Sequence, residues 1–270
     1  MEAGKENRES RGIVYSCYHK MNREGEHFVS EHVLTYQISG SLILNDGIRD
    51  YKLEKGSYSF IRRNQLLKFI KKPPDGGDFE CLSVYLDQAT LKNFSMLYGE
   101  TSGRKNPEQP VYPLSIDDLL KAYIDSMLAY NQQNNFRDHR LVELKLNEGV
   151  MLLLQEKPEL GNILFDFSEP HKTDLEDFMN KNYQFNVPIS RFAYLTGRSL
   201  ATFKRDFEKQ FNLPPGRWLQ QKRLTEAYRL ITEKGRTASD IYLDLGFEDL
   251  SHFSYAFKKE FGKSPSKIIG

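Results

Sequence analysis

Gly246-Phe-Glu-Asp-Leu-Ser-His-Phe-Ser-Tyr-Ala-Phe257 restates a pattern met about 50 residues earlier, where Gly197, Phe203 and Phe207 stand in the same order. The second copy carries one extra residue in its turn. In the first copy Ile189, Phe192, Ala193 and Leu195 form a short helix. Gly197 ends it, suited to a left-handed turn residue, and Ser199 caps a helix with Leu200, Phe203, Phe207 and Phe211 turned inward. In the second, Thr237-Ala-Ser-Asp240 is a capping pair. Ile241, Leu243 and Leu245 lead to Gly246, and Asp249 caps a helix that turns Phe253, Phe257 and Phe261 inward. Each copy reads as helix, glycine turn, helix, and the pair forms an internal repeat.

The surrounding segments are helical too. Thr173-Asp-Leu-Glu176 fits a capping box with Thr173 at the N-cap, opening a helix with Leu175, Phe178 and Met179 that Asn186-Val-Pro188 stops. Pro214-Pro215 opens a longer helix, since proline costs no hydrogen bond in a first turn. It runs over Trp218, Leu219, Leu224, Ala227, Leu230 and Ile231 to Gly235, about 30 Å at 1.5 Å per residue. Ser264-Pro265 starts a final short helix.

A recognition helix fits a major groove, and two can read successive grooves on one DNA face when set about 34 Å apart. The intervening helix has the length to set that spacing. With Leu200, Phe203 and Phe207 inward, Ala201, Thr202, Lys204 and Arg205 project outward. Arginine or lysine pairs with guanine O6 and N7. On the second helix Leu250, Ser251, Ser254 and Tyr255 point out, and Lys258, Lys259 and Lys263 follow as phosphate contacts, as do Arg198 and Ser199 in the first copy. One such motif is often a plain helix corner; two in tandem in a basic half point to double-stranded DNA.

The whole-chain charge of +1, from 38 Lys+Arg against 37 Asp+Glu in 270 residues, argues at first against a polyanion partner. It conceals a split. Residues 171–270 hold 17 Lys+Arg and 12 Asp+Glu, a net of +5, and residues 1–170 hold 21 and 25, a net of −4. Even +5 is modest, so non-specific DNA affinity is expected to be weak and salt-sensitive. A second protomer would double the basic surface.

The acidic half reads differently. Leu34-Thr-Tyr-Gln-Ile38, Ser41-Leu-Ile-Leu44, Tyr58-Ser-Phe-Ile61 and Cys81-Leu-Ser-Val-Tyr-Leu86 are strand-like runs. Asn45-Asp-Gly47 marks a hairpin, and Lys55-Gly56-Ser57 and Pro73-Pro-Asp-Gly-Gly77 mark turns. Short, regularly spaced strands favour a barrel or sandwich. Then Ile116, Leu119, Leu120, Tyr123, Ile124 and Met127 take helical spacing, with Ser115 and Asp118 as a capping pair. A second helix over about 138–156 carries Leu141, Leu144, Leu146, Val150, Leu153 and Leu154. That exceeds one apolar stripe, so Leu141, Leu144 and Val150 are the expected dimer contact; simple closure of the domain's own core is the alternative. Arg62-Arg63 and Lys71-Lys72 read as solvated rims.

Two cysteines, Cys17 and Cys81, are too few for a disulfide framework and suggest free thiols in a reducing compartment. The polar start MEAGKENRESRG has no apolar core of a secretory leader, and no apolar run approaches membrane-spanning length. A cytoplasmic protein without membrane contact is expected.

The segment Asp240–Lys267, with Gly-Phe, a Ser-x-x-Phe core, Phe-Lys-Lys, a glycine and Ser-Pro-Ser, closely resembles the signature of the AraC/XylS family of transcription regulators. The likeness covers about 100 C-terminal residues. It implies two helix-turn-helix units in adjacent major grooves, base reading at Ala201, Lys204 and Arg205 and at Leu250, Ser251 and Tyr255, and contact with RNA polymerase. There are departures. The alanine usual before the turn is Tyr242 or Leu243, Glu248-Asp249 displaces the serine after Gly-Phe, and Tyr255 stands where arginine often follows. The second helix therefore lacks a bidentate base reader, leaving more of the specificity to the first. The N-terminal half, through Glu31–Leu44 and Leu53–Arg63, resembles the cupin-like domain of the subgroup containing type III secretion activators. This implies a domain that binds a small effector, a regulatory protein or another protomer.

The expected fold is α+β: a cupin-like β-barrel with appended helices, then an all-α tandem helix-turn-helix domain. The regulatory and dimerisation domain spans 1–160 (barrel about 12–87, helices about 88–157), the linker 161–172 and the DNA-binding domain 173–270. The competing reading is a cupin-type enzyme with an accessory helical domain. It lacks a His-x-His pair: His32 and His27, five residues apart, read as rim histidines, so no metal and no cofactor are expected. No Gly-x-Ser-x-Gly, phosphate loop or HExxH occurs either. Whether the barrel senses a small molecule, docks a protein or only dimerises stays open, since Leu42, Leu44, Tyr58 and Phe60 are bulky enough to fill it.

Overall fold

The strand-like runs of the acidic half pair as antiparallel ladders. The computed structural model describes residues 5–10, 12–22, 27–103, 109–115, 117–132 and 138–268, so the expected helical position Ile116 lies outside the described residues. The chain divides into two compact units, one of Met1–Gly25 and Val29–Ser168, the other of Glu26–Phe28 and Glu169–Gly270.

The strands are β1 (Lys5–Ser10), β2 (Ile13–Tyr18), β3 (Phe28–Val29), β4 (His32–Ser39), β5 (Ser41–Asn45), β6 (Asp50–Leu53), β7 (Tyr58–Ile61), β8 (Gln65–Leu66), β9 (Lys68–Lys72), β10 (Phe79–Leu86) and β11 (Val111–Leu114). In the first unit β1-β2-β10-β4-β7-β11 form a six-stranded sheet and β6-β5-β9 a three-stranded one. The hairpin at Asn45-Asp-Gly47 forms as expected, with Gly47 at φ 90° and its N–H donated to Asn45 Oδ1. β11 escapes a sequence reading because Pro113 sits in it, and its place at a sheet edge is where proline is tolerated.

The period of two splits the core into layers. Leu42, Leu44 and Leu53 of the smaller sheet meet Tyr18, Val33, Phe79 and Cys81 of the larger one. Tyr58 and Phe60, expected inside the barrel beside Leu42 and Leu44, lie instead with Ile13, Leu34, Leu82 and Val84 on the opposite face, under the helices. Those helices are α1 (Gln88–Tyr98), α2 (Asp118–Gln132), α3 (His139–Glu156) and α4 (Gly161–Leu164), the last after a 3-10 turn at Pro158–Leu160. The cap of α2 is Asp117, which accepts from the Leu120 N–H, rather than Ser115. Helices α2 and α3 approach closely at Gly149, where an added Cβ would sit 2.8 Å from the Tyr123 hydroxyl.

Three expectations change here. Val150, placed at a dimer contact, is 0% exposed and belongs to its own unit's core. Residues 161–168, read as linker, supply Leu164 and Phe165 to that core, and the unit ends at Ser168. His32 and Arg63, read as rim residues, are buried.

His32, 1% exposed, stacks on Phe60 with centroids 5.3 Å apart. Its Nδ1 accepts the Arg63 backbone N–H at 3.2 Å, which leaves the ring proton on Nε2. The Arg63 guanidinium donates to the Asp166 and Ser168 carbonyls at 2.8 and 2.9 Å and holds the last residues of the unit against the sheet. Burial above all, then the charges of Arg63 and Arg62, push the His32 pKa down to about 3, with Asp166 opposing.

The second unit contains α5 (Leu175–Asn182), α6 (Ile189–Leu195), α7 (Leu200–Phe211), α8 (Pro215–Lys234), α9 (Ala238–Ile241), α10 (Leu250–Phe261) and a 3-10 turn at Pro265–Lys267. The cap of α5 is Asp174, accepting from the Asp177 N–H, one residue beyond the expected Thr173. His27 groups with this unit and is also buried rather than at a rim, its Nδ1 accepting the Asn186 N–H at 3.2 Å.

Below pH 6.5 the unfolded chain takes up a proton at residue 32 that the folded chain refuses, so this group makes stability fall as pH falls toward 3. In urea unfolding followed by circular dichroism, the parent should lose about 2 kcal/mol more than His32→Gln between pH 7 and pH 5. Parallel pH profiles for the two proteins would contradict this.

Candidate nucleic-acid interface

The first turn is built from Thr196 to Ser199. Thr196 Oγ1 donates to the Phe192 and Ala193 carbonyls, and Gly197 takes φ 64°. A Cβ at Gly197 would stand 2.5 Å from the His171 and Lys172 backbone, so only glycine fits. Ser199 caps α7 by accepting from the Thr202 N–H, and its hydroxyl donates to Thr202 Oγ1 at 3.0 Å. Arg198, expected to contact phosphate, is instead committed inside the turn. Its guanidinium donates to the Thr173 and Thr196 carbonyls at 3.1 and 2.7 Å and reaches Asp206 at 3.4 Å.

Helix α7 buries Phe203 and Phe207 and exposes Ala201, Lys204 and Arg205. Leu200, expected inward, is 41% exposed, because the core face begins one turn later at Phe203. Thr202 is half-buried beside the cap. The Arg205 side chain is 76% exposed and lies 3.2 Å from Asp206. Desolvation opposes ionisation of Asp206, but Arg205 and Arg198 outweigh it and hold the carboxyl below the ordinary range.

The second turn repeats the plan. Thr237 and Asp240 form a capping box, Gly246 takes φ 82°, and Asp249 caps α10 by accepting from the His252 N–H at 2.6 Å. Helix α10 buries Phe253, Ala256 and Phe257 and exposes Leu250, Ser251 and Tyr255, the last at 69%. Lys258, Lys259 and Lys263 are exposed at its far end, and Ser254 is half-buried. His252 is exposed as well, one residue before the buried Phe253.

Both recognition helices rest on α8. Phe203, Phe207 and Phe211 form a ladder whose lower rings meet Trp218 at 5.6 and 5.0 Å. Phe253, Phe257 and Phe261 form the matching ladder, and Tyr228 meets its lower rings at 6.4 and 4.9 Å. Midway along α8, Arg223 donates to the Tyr183 and Phe185 carbonyls at 2.7 and 2.8 Å and to the Gly246 carbonyl at 2.9 Å. Those groups lie before the first helix-turn-helix unit and in the turn of the second. Burial pushes the Arg223 pKa down to about 10, which leaves it charged at neutral pH. Asn186 Nδ2 adds a bond to Glu248 Oε1 at 2.9 Å. The sequence carried no signal for Arg223, because its three partners are backbone carbonyls. Arg223→Met would leave those carbonyls without their donors and should lower the stability of this unit by about 2–4 kcal/mol in thermal unfolding. A change below about 0.5 kcal/mol would contradict that role.

Residues 192–269 match the model of a helix-turn-helix domain, and residues 32–164 match that of the ExsA N-terminal regulatory domain. The chain is 25% identical over 234 residues to the HTH-type transcriptional regulator ExsA of Pseudomonas aeruginosa, covering 85% of this chain and 83% of that one. It is 26% identical over 247 residues to the virulence regulon transcriptional activator VirF of Yersinia enterocolitica, covering 85% and 86%. Among solved structures, an apo ToxT variant from Vibrio cholerae aligns over 97% of this chain and 98% of its own, with 13% identity and a TM-score of 0.47. Among the described residues, no helix is long and apolar enough to cross a membrane. With a regulatory domain of the ExsA type ahead of two helix-turn-helix units, the chain belongs to the AraC/XylS family of DNA-binding transcription regulators.

Proposed function

We propose that α7 and α10 enter successive major grooves on one face of a double-stranded operator. Ala201, Thr202, Lys204 and Arg205 read bases from the first helix, and Leu250, Ser251 and Tyr255 from the second. Ser199, Lys258, Lys259 and Lys263 hold phosphates. What carries the reading is the pair of exposed helix faces seated on one helix of 20 residues, about 30 Å long against a helical repeat of about 34 Å. Arg205 is the one long, exposed cation of the pair of faces with a planar fork, the geometry that pairs bidentately with guanine. The regulator acts in the cytoplasm on promoters; the likeness to VirF, a transcriptional activator, supports activation as the sign of its action, and contact with RNA polymerase follows from the family resemblance.

The first unit serves dimerisation and effector sensing. Leu144, 66% exposed, and the exposed Met151 lie two turns apart on α3, with the half-buried Leu141 beside them, and offer the dimer face. For an effector the unit offers a cleft of about 890 Å³, lined by Ser16 and Tyr18 of β2, Lys71 of β9, Tyr85 of β10, Asn93 of α1 and Glu143 of α3. That lining suits a small polar molecule. A regulatory protein would find the exposed Met96, Leu97 and Tyr98 at the end of α1.

Arg205→Ala should weaken binding to a selected operator by about 1–3 kcal/mol and relax one base position. Lys258→Ala should weaken all sequences alike and reduce the salt slope by about 1. Gel-shift titration against selected and scrambled DNA at two salt concentrations checks both. Parent-like binding by both variants would refute the assignment.

A further inference from the structure

The cysteine pattern gave no metal motif, yet the ladder of β2 with β10 builds one. Cys17 pairs with Glu80, and Tyr18 with Phe79, so the next pair outward is His19 with Asp78. With a period of two, Cys17 and His19 share a face, and Asp78 and Glu80 share it across the ladder. The side chains converge there: Cys17 Sγ, a His19 ring nitrogen and an Asp78 carboxylate oxygen all lie within 4.8 Å of one another. His19 Nδ1 and Asp78 Oδ1 are 2.5 Å apart. The sulfur is buried, whereas the His19 and Asp78 side chains are 49% and 37% exposed, so the cluster has a sheltered floor and an open mouth.

A surface His–Asp pair needs no buried thiol beneath it, and such a pair contributes only about 0–1 kcal/mol. The donor set points elsewhere. One thiolate, one imidazole and one carboxylate are too soft and too few for calcium or magnesium, which demand six or more oxygens. The mixed sulfur, nitrogen and oxygen set suits Zn²⁺. Tetrahedral zinc, with bonds of about 2.0–2.3 Å, separates its ligand atoms by about 3.3–3.6 Å. That lies within the observed envelope, and the His19–Asp78 contact needs to open by less than about 1 Å, a side-chain rotation at an exposed rim. On binding, the Cys17 thiol proton passes to solvent and the thiolate ligates, so affinity rises with pH. Three protein ligands leave the fourth position to water.

We propose that Cys17, His19 and Asp78 form a Zn²⁺ site at the end of the β2–β10 ladder, separate from the DNA-reading helices. Zinc would cross-link the two strands and stabilise the first unit, by an amount that grows with the logarithm of the free ion once the ion exceeds its Kd. The test uses the full chain, freed of metal with a chelator and titrated with Co²⁺ as a spectroscopic probe, then with Zn²⁺ in competition. The expected result is one equivalent bound, a thiolate-to-cobalt charge-transfer band displaced by Zn²⁺, and a melting temperature that rises with Zn²⁺. C17S should abolish the band, and H19Q and D78N should each weaken binding at least tenfold. A circular dichroism spectrum and a metal-free melting temperature equal to the parent's show that each variant is folded. Absence of the band in the parent, or affinity unchanged in H19Q and D78N, would overturn the site.

Discussion

One guanidinium holds the DNA-binding half in register. Arg223 leaves the middle of α8 and spends its donors on carbonyls from both sides of the repeat, Tyr183 and Phe185 on one and Gly246 on the other. A buried arginine is tolerable only when its hydrogen bonds are made, because desolvating an unpaired cation costs several kcal/mol. The three carbonyls therefore cannot drift apart without exposing that cost. Gly246 is part of the same constraint, since a Cβ there would come 2.9 Å from the Arg223 guanidinium carbon.

The aromatic ladders extend this control to the reading surface. Trp218 and Tyr228 stand ten residues apart on α8 and receive the two phenylalanine ladders. The rotation of each recognition helix about its own axis follows from which face carries phenylalanine. Lys204 and Arg205 on α7 and Ser251 and Tyr255 on α10 are thus aimed by groups on their opposite faces. With only +5 on this half, electrostatic attraction supplies little, and pre-set geometry has to supply specificity.

The repeat was legible because phenylalanines at helical spacing, glycine at a left-handed turn and capping side chains are all local signals. Gly197, Ser199, Gly246 and Asp249 stand where those rules place them. What escaped depends on partners distant in the chain. Arg198 looked like a phosphate ligand until Thr173 and Asp206 closed around it. His32 and Arg63 looked like rim residues until β4, β7 and the segment near Asp166 enclosed them. Val150 looked available for a partner, but α2 and the sheet cover it. In the first unit the strands were legible and their layering was not, since a period of two identifies two faces but not which neighbour covers each.

The central claim is that Arg223 and α8 fix the two recognition helices one helical turn apart on a single DNA face. Its most direct test is the affinity of the chain for a selected operator into which base pairs are inserted between the two half-sites. Five added base pairs carry one half-site to the opposite face, and affinity should fall about 100-fold, to that of a single unit. Affinity unchanged by the insertion would mean that the two helices read DNA independently, and would contradict the account.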